Sequence, residues 1–395
     1  MIAFRRGLLG AFVLGLGFSI TLSETALAAL TLHWLWRLRD PVVRRQARLP
    51  LLGPVLAFSG ATLVSALASG HAASSLAASK GLLLTLALWV IVDALTGAHD
   101  ADRLLSALLL VGAAAAAIGL VQVVACPPAP PAGGLGAWFF HRCSRARGPF
   151  SIYMTLAGVL TLLLLATAPR LLPSAARRPW AAGPWLLMVL GLAATYVRGA
   201  WLGFAAGTLA LAPMIRRGRV LLIVGLLALA ALALSGPEPL RHRIRSMADP
   251  EEATIKERIY MWQSGLAMLL EHPVLGAGPG GVKREYARFA LPEAIKKRTG
   301  HLHNTPLQIL VERGVVGLLA WLWIWGVFYV RAGVVLRRLG HGEARERAIV
   351  VGSLAAVTGF LVTGLSEYSF GDSEVLLVAW TVMALPFVVA RDAAG

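Results

Sequence analysis

The stretch LLSALLLVGAAAAAIGLVQVVA, residues 104–125, carries no charged side chain over 22 positions. A helix needs about 20 mainly apolar residues to cross the hydrocarbon core of a bilayer. Similar runs recur along the 395 residues, of which 57% are hydrophobic and 14% charged, whereas soluble domains carry roughly a quarter charged residues. Backbone in lipid must be helical or form a closed barrel, and runs this long indicate helices. The sequence therefore predicts an all-α polytopic membrane protein.

Arginine-rich segments between the apolar runs indicate which loops face the cytoplasm. They lie at 37–48, 170–178, 216–219 and 331–347, and the positive-inside rule places such basic loops on the cytoplasmic side. Each neighbouring pair must then be separated by an even number of crossings. The apolar runs meet this condition with ten predicted spans, at 51–69, 80–98, 104–125, 150–168, 182–197, 199–213, 220–235, 307–330, 348–366 and 374–390.

The N-terminal apolar stretch at 7–36 is long for one span and short for two, so we expect about 11 or 12 transmembrane helices in total. A cleaved signal peptide is an alternative, because Arg5 and Arg6 precede the apolar stretch and Ala26-Leu27-Ala28 resembles a cleavage site. Cleavage there would leave the basic segment 37–48 on the outer side, which argues against it.

The formal net charge of +17 could indicate nucleic-acid binding. The arginines lie instead in short clusters between apolar runs, without interleaved aromatic residues along one face, so we expect no nucleic-acid partner. The predicted topology divides the chain into N-terminal membrane helices (1–235), one large periplasmic loop with amphipathic helices (236–306) and C-terminal membrane helices (307–395). We call the middle part the outer segment. It has about 70 residues, more than the loops to which the positive-inside rule applies.

An amphipathic helix is predicted within the outer segment at RIYMWQSGLAMLLEHP, residues 258–273. His272-Pro273 ends the helical pattern, and such a helix can lie on the bilayer surface. The apolar residues expected on one face are Ile259, Trp262, Leu266, Leu269 and Leu270.

The glycine-rich sequence GAGPGG at 276–281 formally fits a nucleotide-binding pattern. No strand precedes it, Pro279 lies inside it and no acidic partner follows in a βαβ unit, so the phosphate-binding interpretation is poor. A plain turn is the better prediction.

The sequence HLHNTPLQILVERGVVG, residues 301–317, places polar groups directly before an apolar run. Thr305 and Pro306 predict a helix start, with a capping hydroxyl followed by proline at the first helical position. His303 and Asn304 would then lie at the positive end of a helix dipole. That position disfavours imidazolium, so we expect a neutral His303 that can accept a proton.

Two further arginines are candidates for binding an anion. Arg198 interrupts the apolar stretch 181–213 at a predicted turn on the outer side, and Arg258 opens the amphipathic helix. Ionisable residues at membrane depth are functional candidates, but Arg198 could also extend to the interface and Arg258 could be a solvated helix residue. Both interpretations stay open on the residues alone.

The outer features contain no plausible metal set, because His301 and His303 have no nearby cysteine or well-spaced acidic partner. Cys126 and Cys143 are the only cysteines, and both fall in the predicted outer loop 126–149. Disulfides persist in oxidising compartments, so we predict a disulfide that closes this proline-rich loop, with two unpaired thiols as the alternative.

Five stretches of the sequence together resemble the O-antigen ligase family, which also includes polymerases of polyisoprenyl-pyrophosphate-linked glycans. HNTPLQILVERGVVG at 303–317 fits the family's H-N-x9-G-x-x-G signature. The other four are GPFSIYMTLAGVL at 148–160, VRGAWLGF at 197–204, RIYMWQSGLAMLLEHPVLGAGPGG at 258–281 and SEYSFGDSEV at 366–375. The family's first arginine motif often has serine before the arginine, whereas this sequence has Val197, a departure that bears on the local hydrogen bonding of Arg198.

The resemblance implies a GT-C type glycosyltransferase, inverting and metal-independent, with its active site at the periplasmic face of the bacterial inner membrane. It implies that Arg198 and Arg258 hold the leaving pyrophosphate, since guanidinium forks match phosphate oxygens. It also implies that His303 is the general base. His301, Asn304 and Glu367 are further candidates for substrate binding.

The resemblance implies an O-antigen ligase that moves glycan from undecaprenyl pyrophosphate to a sugar hydroxyl of lipid A-core. The expected partners are this donor, the acceptor and membrane lipids, and no cofactor is expected. An O-antigen polymerase or a protein O-oligosaccharyltransferase of the same superfamily is the alternative. A polyisoprenyl-lipid transporter is less favoured, because we find no internal repeats with broken helices in matching halves.

Overall fold

The computed structural model describes residues 2–129, 133–171, 179–211, 241, 246, 249, 251–340 and 342–392. The predicted span 220–235 and the basic segment 216–219 lie outside the described residues. So do residues 172–178 and most of 236–250. The described residues form helices and loops without a strand.

The first half of the chain forms eleven α-helices among the described residues. They are α1 (Ile2–Phe18), α2 (Ile20–Arg37), α3 (Pro41–Gln46), α4 (Leu52–Ala68), α5 (Ala72–Ala78), α6 (Leu86–Ala94), α7 (Ala98–Val124), α8 (Gly134–Phe140), α9 (Tyr153–Thr167), α10 (Ala182–Ala194) and α11 (Arg198–Leu211). The apolar stretch 7–36 is thus two helices, separated where the Ser19 hydroxyl caps α2 by accepting from the Leu22 N–H.

The second half contributes five more described α-helices, α12 (Ala253–Glu271), α13 (Gly281–Phe289), α14 (Thr305–Arg338), α15 (Ala344–Gly364) and α16 (Ser373–Asp392). Six helical stretches are long and apolar enough to cross a membrane, as expected for a multi-pass membrane protein. They are Ala72–Ala94, Ala98–Val124, Tyr153–Leu171, Thr305–Arg338, Ala344–Gly364 and Ser373–Ala390.

The core brings helices from both ends of the chain together. Helix α9 is buried on all sides, and the hydrophobic cluster around it includes residues of α7, α15 and α16. Helices α11 and α15 cross closely, because a Cβ added to Gly203 would lie 2.5 Å from the Gly359 carbonyl oxygen. Small residues allow this approach in membrane proteins. The approach places the start of α11, with Arg198, beside the end of α15.

Helix α12 of the outer segment begins five residues before the predicted start and ends at Glu271, with His272 as its C-cap. Its buried side packs Met261 and Met268 into a small cluster with Tyr286 of α13 and Leu302. The five predicted apolar residues lie on one side of this helix. Ile259, Leu266 and Leu270 are exposed, whereas Trp262 and Leu269 pack against the small cluster. The buried methionines form a second apolar side on the opposite face of the helix.

Helix α14 is broken near its beginning at Gly314, whose φ is +64° and ψ is −172°. Residues 273–277, which we call the strap, replace the lost helical bond. The Val315 N–H donates to the Pro273 carbonyl at 3.0 Å, and the Val311 carbonyl accepts from the Ala277 N–H at 3.0 Å. The strap thus satisfies backbone groups that an unbroken helix would pair internally.

The GAGPGG sequence forms a turn, as predicted, between the strap and α13. Gly276, Gly278 and Gly280 all have positive φ, at +72°, +82° and +73°. A Cβ on Gly278 would lie 2.6 Å from the Ser69 Cβ and 2.7 Å from the Ser75 hydroxyl. Glycine is needed here for both its backbone conformation and the close approach to the segment between α4 and α5.

A disulfide joins Cys126, just after α7, to Cys143, with a Cα–Cα distance of 5.4 Å. The loop it closes is also held by Arg147, which is 3% exposed. The Arg147 guanidinium donates to the carbonyls of His141 at 3.0 Å and Phe150 at 2.6 Å. Burial lowers the pKa of Arg147 from its ordinary value. These bonds fix the segment that leads into α9.

Candidate active site

The His-Asn sequence forms the entrance to α14. The Asn304 side chain accepts from the Leu307 N–H at 2.9 Å and donates to the Leu365 carbonyl at 3.0 Å. Asn304 is therefore the N-cap, and the prediction that the Thr305 hydroxyl caps the helix was wrong. That hydroxyl donates instead to the Glu367 carbonyl at 2.8 Å. Both residues tie the start of α14 to the loop between α15 and α16, which sequence spacing within α14 could not reveal.

His303 occupies the left-handed region of backbone space, with φ of +49°. A non-glycine residue in this region carries strain that the surrounding structure must hold. The Leu302 N–H donates to the Gln308 side chain at 2.8 Å, and the Trp262 indole donates to the Leu302 carbonyl at 3.0 Å. These bonds on the neighbouring residue hold the conformation that directs the His303 ring.

Glu367 contacts two of the predicted site residues at once. Its Oε2 lies 3.1 Å from His303 Nδ1, and its Oε1 accepts from the Arg258 guanidinium at 2.6 Å. Burial favours the neutral acid, but the hydrogen bond with His303 and the charge of Arg258 outweigh it and lower the pKa of Glu367 below its usual value. The carboxylate is therefore charged and joins the outer segment to the start of α14.

Arg198 is the first residue of α11 and lies two residues after Tyr196, whose φ is +54°. Its guanidinium donates to Glu252 Oε2 at 2.8 Å, to the Thr254 hydroxyl at 2.7 Å and to the Ser246 carbonyl at 2.7 Å. Glu252 is the N-cap of α12. Arg198 therefore connects α11 to the helix that carries Arg258, and no serine before it is needed for these bonds.

Arg198, Arg258, His303 and Glu367 line one cavity of about 330 Å³. The three predicted catalytic residues thus come together, although they belong to α11, α12 and the loop before α14. The cavity also contains carboxylates, namely Glu257 and Glu367, while Glu252 pairs with Arg198 at its edge.

Two cations in this cavity were not predicted as site residues. Arg145 follows the disulfide, and its guanidinium lies 4.6 Å from the centre of the Tyr153 ring at the start of α9. Lys296 is held by Glu257, whose carboxylate accepts the backbone N–H groups of Ile295 and Lys296 at 3.0 and 2.8 Å. Four cations against the three carboxylates in and beside the cavity favour an anionic ligand. A basic residue near a predicted outer cysteine was the only sequence signal for Arg145.

His301 lies behind His303, with 4.3 Å between the ring centres. Burial and, to a smaller extent, the neighbouring His303 lower the pKa of His301 to about 4. His301 is therefore neutral near pH 7, and its Nδ1 has no hydrogen-bond partner among the described residues. Its ring also lies 5.9 Å from that of Tyr368. His301 does not line the cavity, so a direct role in substrate binding stays a prediction.

The residues that the structure describes contain no group of three or more His, Cys, Asp or Glu side chains that could hold a metal ion. The charged groups opposite the cavity's carboxylates are arginine and lysine side chains.

Residues 184–322, about a third of the chain, match the family model described as O-antigen ligase. This match supports the predicted resemblance to the O-antigen ligase family. No match was found among curated proteins. The O-antigen ligase match extends from α10 to the middle of α14 and includes Arg198, Arg258 and His303. Arg145 and Glu367 complete the same cavity from outside the matched range.

Proposed function

We propose that this chain is an O-antigen ligase that transfers a glycan from undecaprenyl pyrophosphate to a sugar hydroxyl of lipid A-core, at the periplasmic face of the inner membrane. The main support is Glu367, which contacts both a candidate base and a candidate phosphate-binding arginine in one cationic cavity. The family match supports a membrane enzyme of the ligase and glycosyltransferase type.

The proposed reaction is a single displacement at the anomeric carbon of the donor sugar. The acceptor hydroxyl oxygen forms the new bond to this carbon, and the bond from the carbon to the pyrophosphate oxygen breaks. The electron pair leaves with the pyrophosphate, and the hydroxyl proton passes to His303. The configuration at the anomeric carbon is inverted because attack and departure occur on opposite faces.

His303 suits the role of general base because Glu367 fixes its ring. A neutral imidazole that donates from Nδ1 to the Glu367 carboxylate presents an unprotonated Nε2 as the proton acceptor. A carboxylate partner also stabilises the imidazolium that forms, as in other His-acid pairs. Such base catalysis contributes roughly 10²- to 10⁴-fold in rate.

The arginines suit the role of holding the departing pyrophosphate. Arg258 and Arg198 each give part of their donor set to a carboxylate in the structure, and a guanidinium has further N–H donors in a planar fork for phosphate oxygens. Arg145 and Lys296 add positive charge to the same cavity. Preorganised donors aimed at developing charge stabilise a transition state without a metal ion.

The proposal is tested by transfer with purified full-length protein and a defined undecaprenyl-pyrophosphate glycan. Two acceptors compete in the same reaction, namely lipid A-core and the non-reducing end of a second lipid-linked glycan. Product on lipid A-core in the presence of EDTA supports the ligase. Product only on the second glycan identifies a polymerase, and donor movement across vesicles without a new glycosidic bond identifies a transporter.

A further inference from the structure

A second cavity, of about 470 Å³, lies beside the candidate active site. The turn after α15 separates the two cavities, since Glu367 lines the first and Tyr368 lines the second. The loop before α14 also separates the two cavities, because His303 lines the first and Gly300 lines the second. The rings of His303, His301 and Tyr368 form a row between them.

The second cavity has apolar walls and a cationic rim. The apolar walls include Leu27 of α2, Leu82 of the segment before α6, and Leu376 of α16. Lys80 and Lys283 are both exposed at the rim, and neither forms an ion pair with another described residue. We call it the lysine cavity.

The lysine cavity also contains acidic side chains. Glu312 is buried and pairs with Arg313 at 3.2 Å, so its charge is already balanced. Glu24 of α2 is exposed and also lines the cavity. The rim lysines together with Arg313 therefore outnumber the two carboxylates, which favours an anionic group on the ligand.

The two lysines are held at the same rim by the packing of α13 against α5. The Arg284 guanidinium donates to the Ser75 hydroxyl at 2.8 Å and to the Pro279 carbonyl at 3.1 Å. A Cβ on Gly280 would lie 3.4 Å from the Ala78 Cβ. The turn that precedes Lys283 thus contacts the segment that leads to Lys80, so the rim is a preformed feature.

We propose that the lysine cavity is the acceptor site and that it takes an amphipathic glycolipid with a phosphorylated saccharide. This inference rests on the proposed function. The apolar walls contact the lipid part, and the ammonium groups of Lys80 and Lys283 bind phosphate oxygens. The saccharide passes over the turn at 367–368, so that one hydroxyl reaches His303 from the side opposite the arginines. This arrangement places donor and acceptor on opposite sides of the base.

The test compares Lys80→Gln, Lys283→Gln and the double variant with Lys80→Arg and Lys283→Arg in full-length protein. Arg288→Gln is the matched control, because Arg288 is an exposed cation on α13 outside the lysine cavity. The measured quantities are the acceptor KM and kcat, the Kd for the donor, and the Kd for a fluorescent phosphorylated glycolipid without donor. Each acceptor is used with and without its phosphates.

The double glutamine variant is expected to raise the acceptor KM and the glycolipid Kd about tenfold or more, the effect of losing charge-assisted hydrogen bonds. The donor Kd stays unchanged, the arginine variants retain binding, and the dephosphorylated acceptor shows no change. An unchanged acceptor KM and glycolipid Kd would overturn the inference, as would a selective loss of donor binding. Wild-type protein that binds the phosphorylated glycolipid through these lysines but transfers nothing would contradict only the proposed function.

Discussion

His303 Nδ1 lies 3.1 Å from Glu367 Oε2, although 64 positions separate the two residues in the sequence. The contact joins the start of α14 to the loop between α15 and α16, so the orientation of the imidazole depends on how the C-terminal helices pack. Asn304 and Thr305 bind the same loop through the carbonyls of Leu365 and Glu367. The geometry of the base is therefore set by three bonds from adjacent residues.

Replacing His303 by alanine removes the proposed proton acceptor. We expect kcat for transfer to fall roughly 10²- to 10⁴-fold while the donor Kd is unchanged. Glu367→Gln should also lower kcat, since an amide neither holds the imidazolium nor pairs with Arg258. His272→Ala, at the exposed end of α12, is the control and should transfer normally. Near wild-type transfer by the His303→Ala protein would eliminate His303 as the base.

Arg258→Lys should impair transfer nearly as much as Arg258→Ala. An ammonium supplies charge but lacks the planar fork that can bind Glu367 and a phosphate oxygen together. The donor Kd and kcat are measured separately for both variants, and Arg288→Lys serves as an exposed arginine control. Retention of most of the activity in Arg258→Lys would show that charge alone suffices and would refute a requirement for the planar guanidinium.

The disulfide between Cys126 and Cys143 should stabilise the protein by about 3 kcal/mol, since it closes a loop of 17 residues. Replacing both cysteines by serine should lower the Tm, and reductant should lower the Tm of the wild type alone. Loss of the bridge should also weaken donor binding, because Arg145 follows Cys143 into the cavity. Thiol labelling of both cysteines in denatured, non-reduced protein would contradict the pairing.

Gly314→Ala should lower the Tm and abolish transfer. A Cβ there would lie 2.0 Å from the Val274 carbonyl oxygen, and the positive φ disfavours any other residue. Gly326 lies in the same helix with open space around its Cβ position, so Gly326→Ala should keep the Tm or raise it slightly. Equal Tm values for the two variants would mean that the break in α14 is not required.

Acidification should destabilise the region around His301. Its folded pKa of about 4 lies below the ordinary 6.5, so the unfolded chain binds more protons between these values. The stabilising contribution of neutral His301 to the free energy of unfolding is fully present above about pH 6.5. It is lost as the pH falls toward 4, and the loss is about 3 kcal/mol. The Tm measured across this window should fall less in His301→Gln. A wild-type Tm that stays constant over the same pH range would contradict the lowered pKa of His301.

The apolar runs predicted most helices of the described structure, because lipid imposes a length and an apolar composition on every crossing. The sides of the loops were predicted by the positive-inside rule and crossing parity. They also assigned Arg198, Arg258 and His303 to one side of the membrane, and these residues line one cavity. Topology of this kind specifies the side on which a loop lies. The topology carries no information about which side chains contact one another on that side of the membrane.

The partnerships within the site therefore could not be predicted. Glu367 ranked as a secondary candidate because nothing in its local sequence indicates that it contacts both Arg258 and His303. Arg145 resembles any basic residue in a loop until the disulfide and Tyr153 fix its position. The Asn304 amide caps α14, and its role in substrate binding stays a prediction. The contacts of Glu367 reach residues that lie 109 and 64 positions away in the sequence.

The strap has a consequence for the order in which the chain can be assembled. Helix α14 cannot complete its backbone pairing alone, because the Val315 N–H and the Val311 carbonyl bond to Pro273 and Ala277. Residues 273–277 are synthesised before α14, so both partners are available when the helix enters the bilayer, where unpaired backbone groups are costly. A permuted chain that began within α13 would present α14 to the membrane with these groups exposed. The linear order of the sequence is thus part of what makes the broken helix insertable.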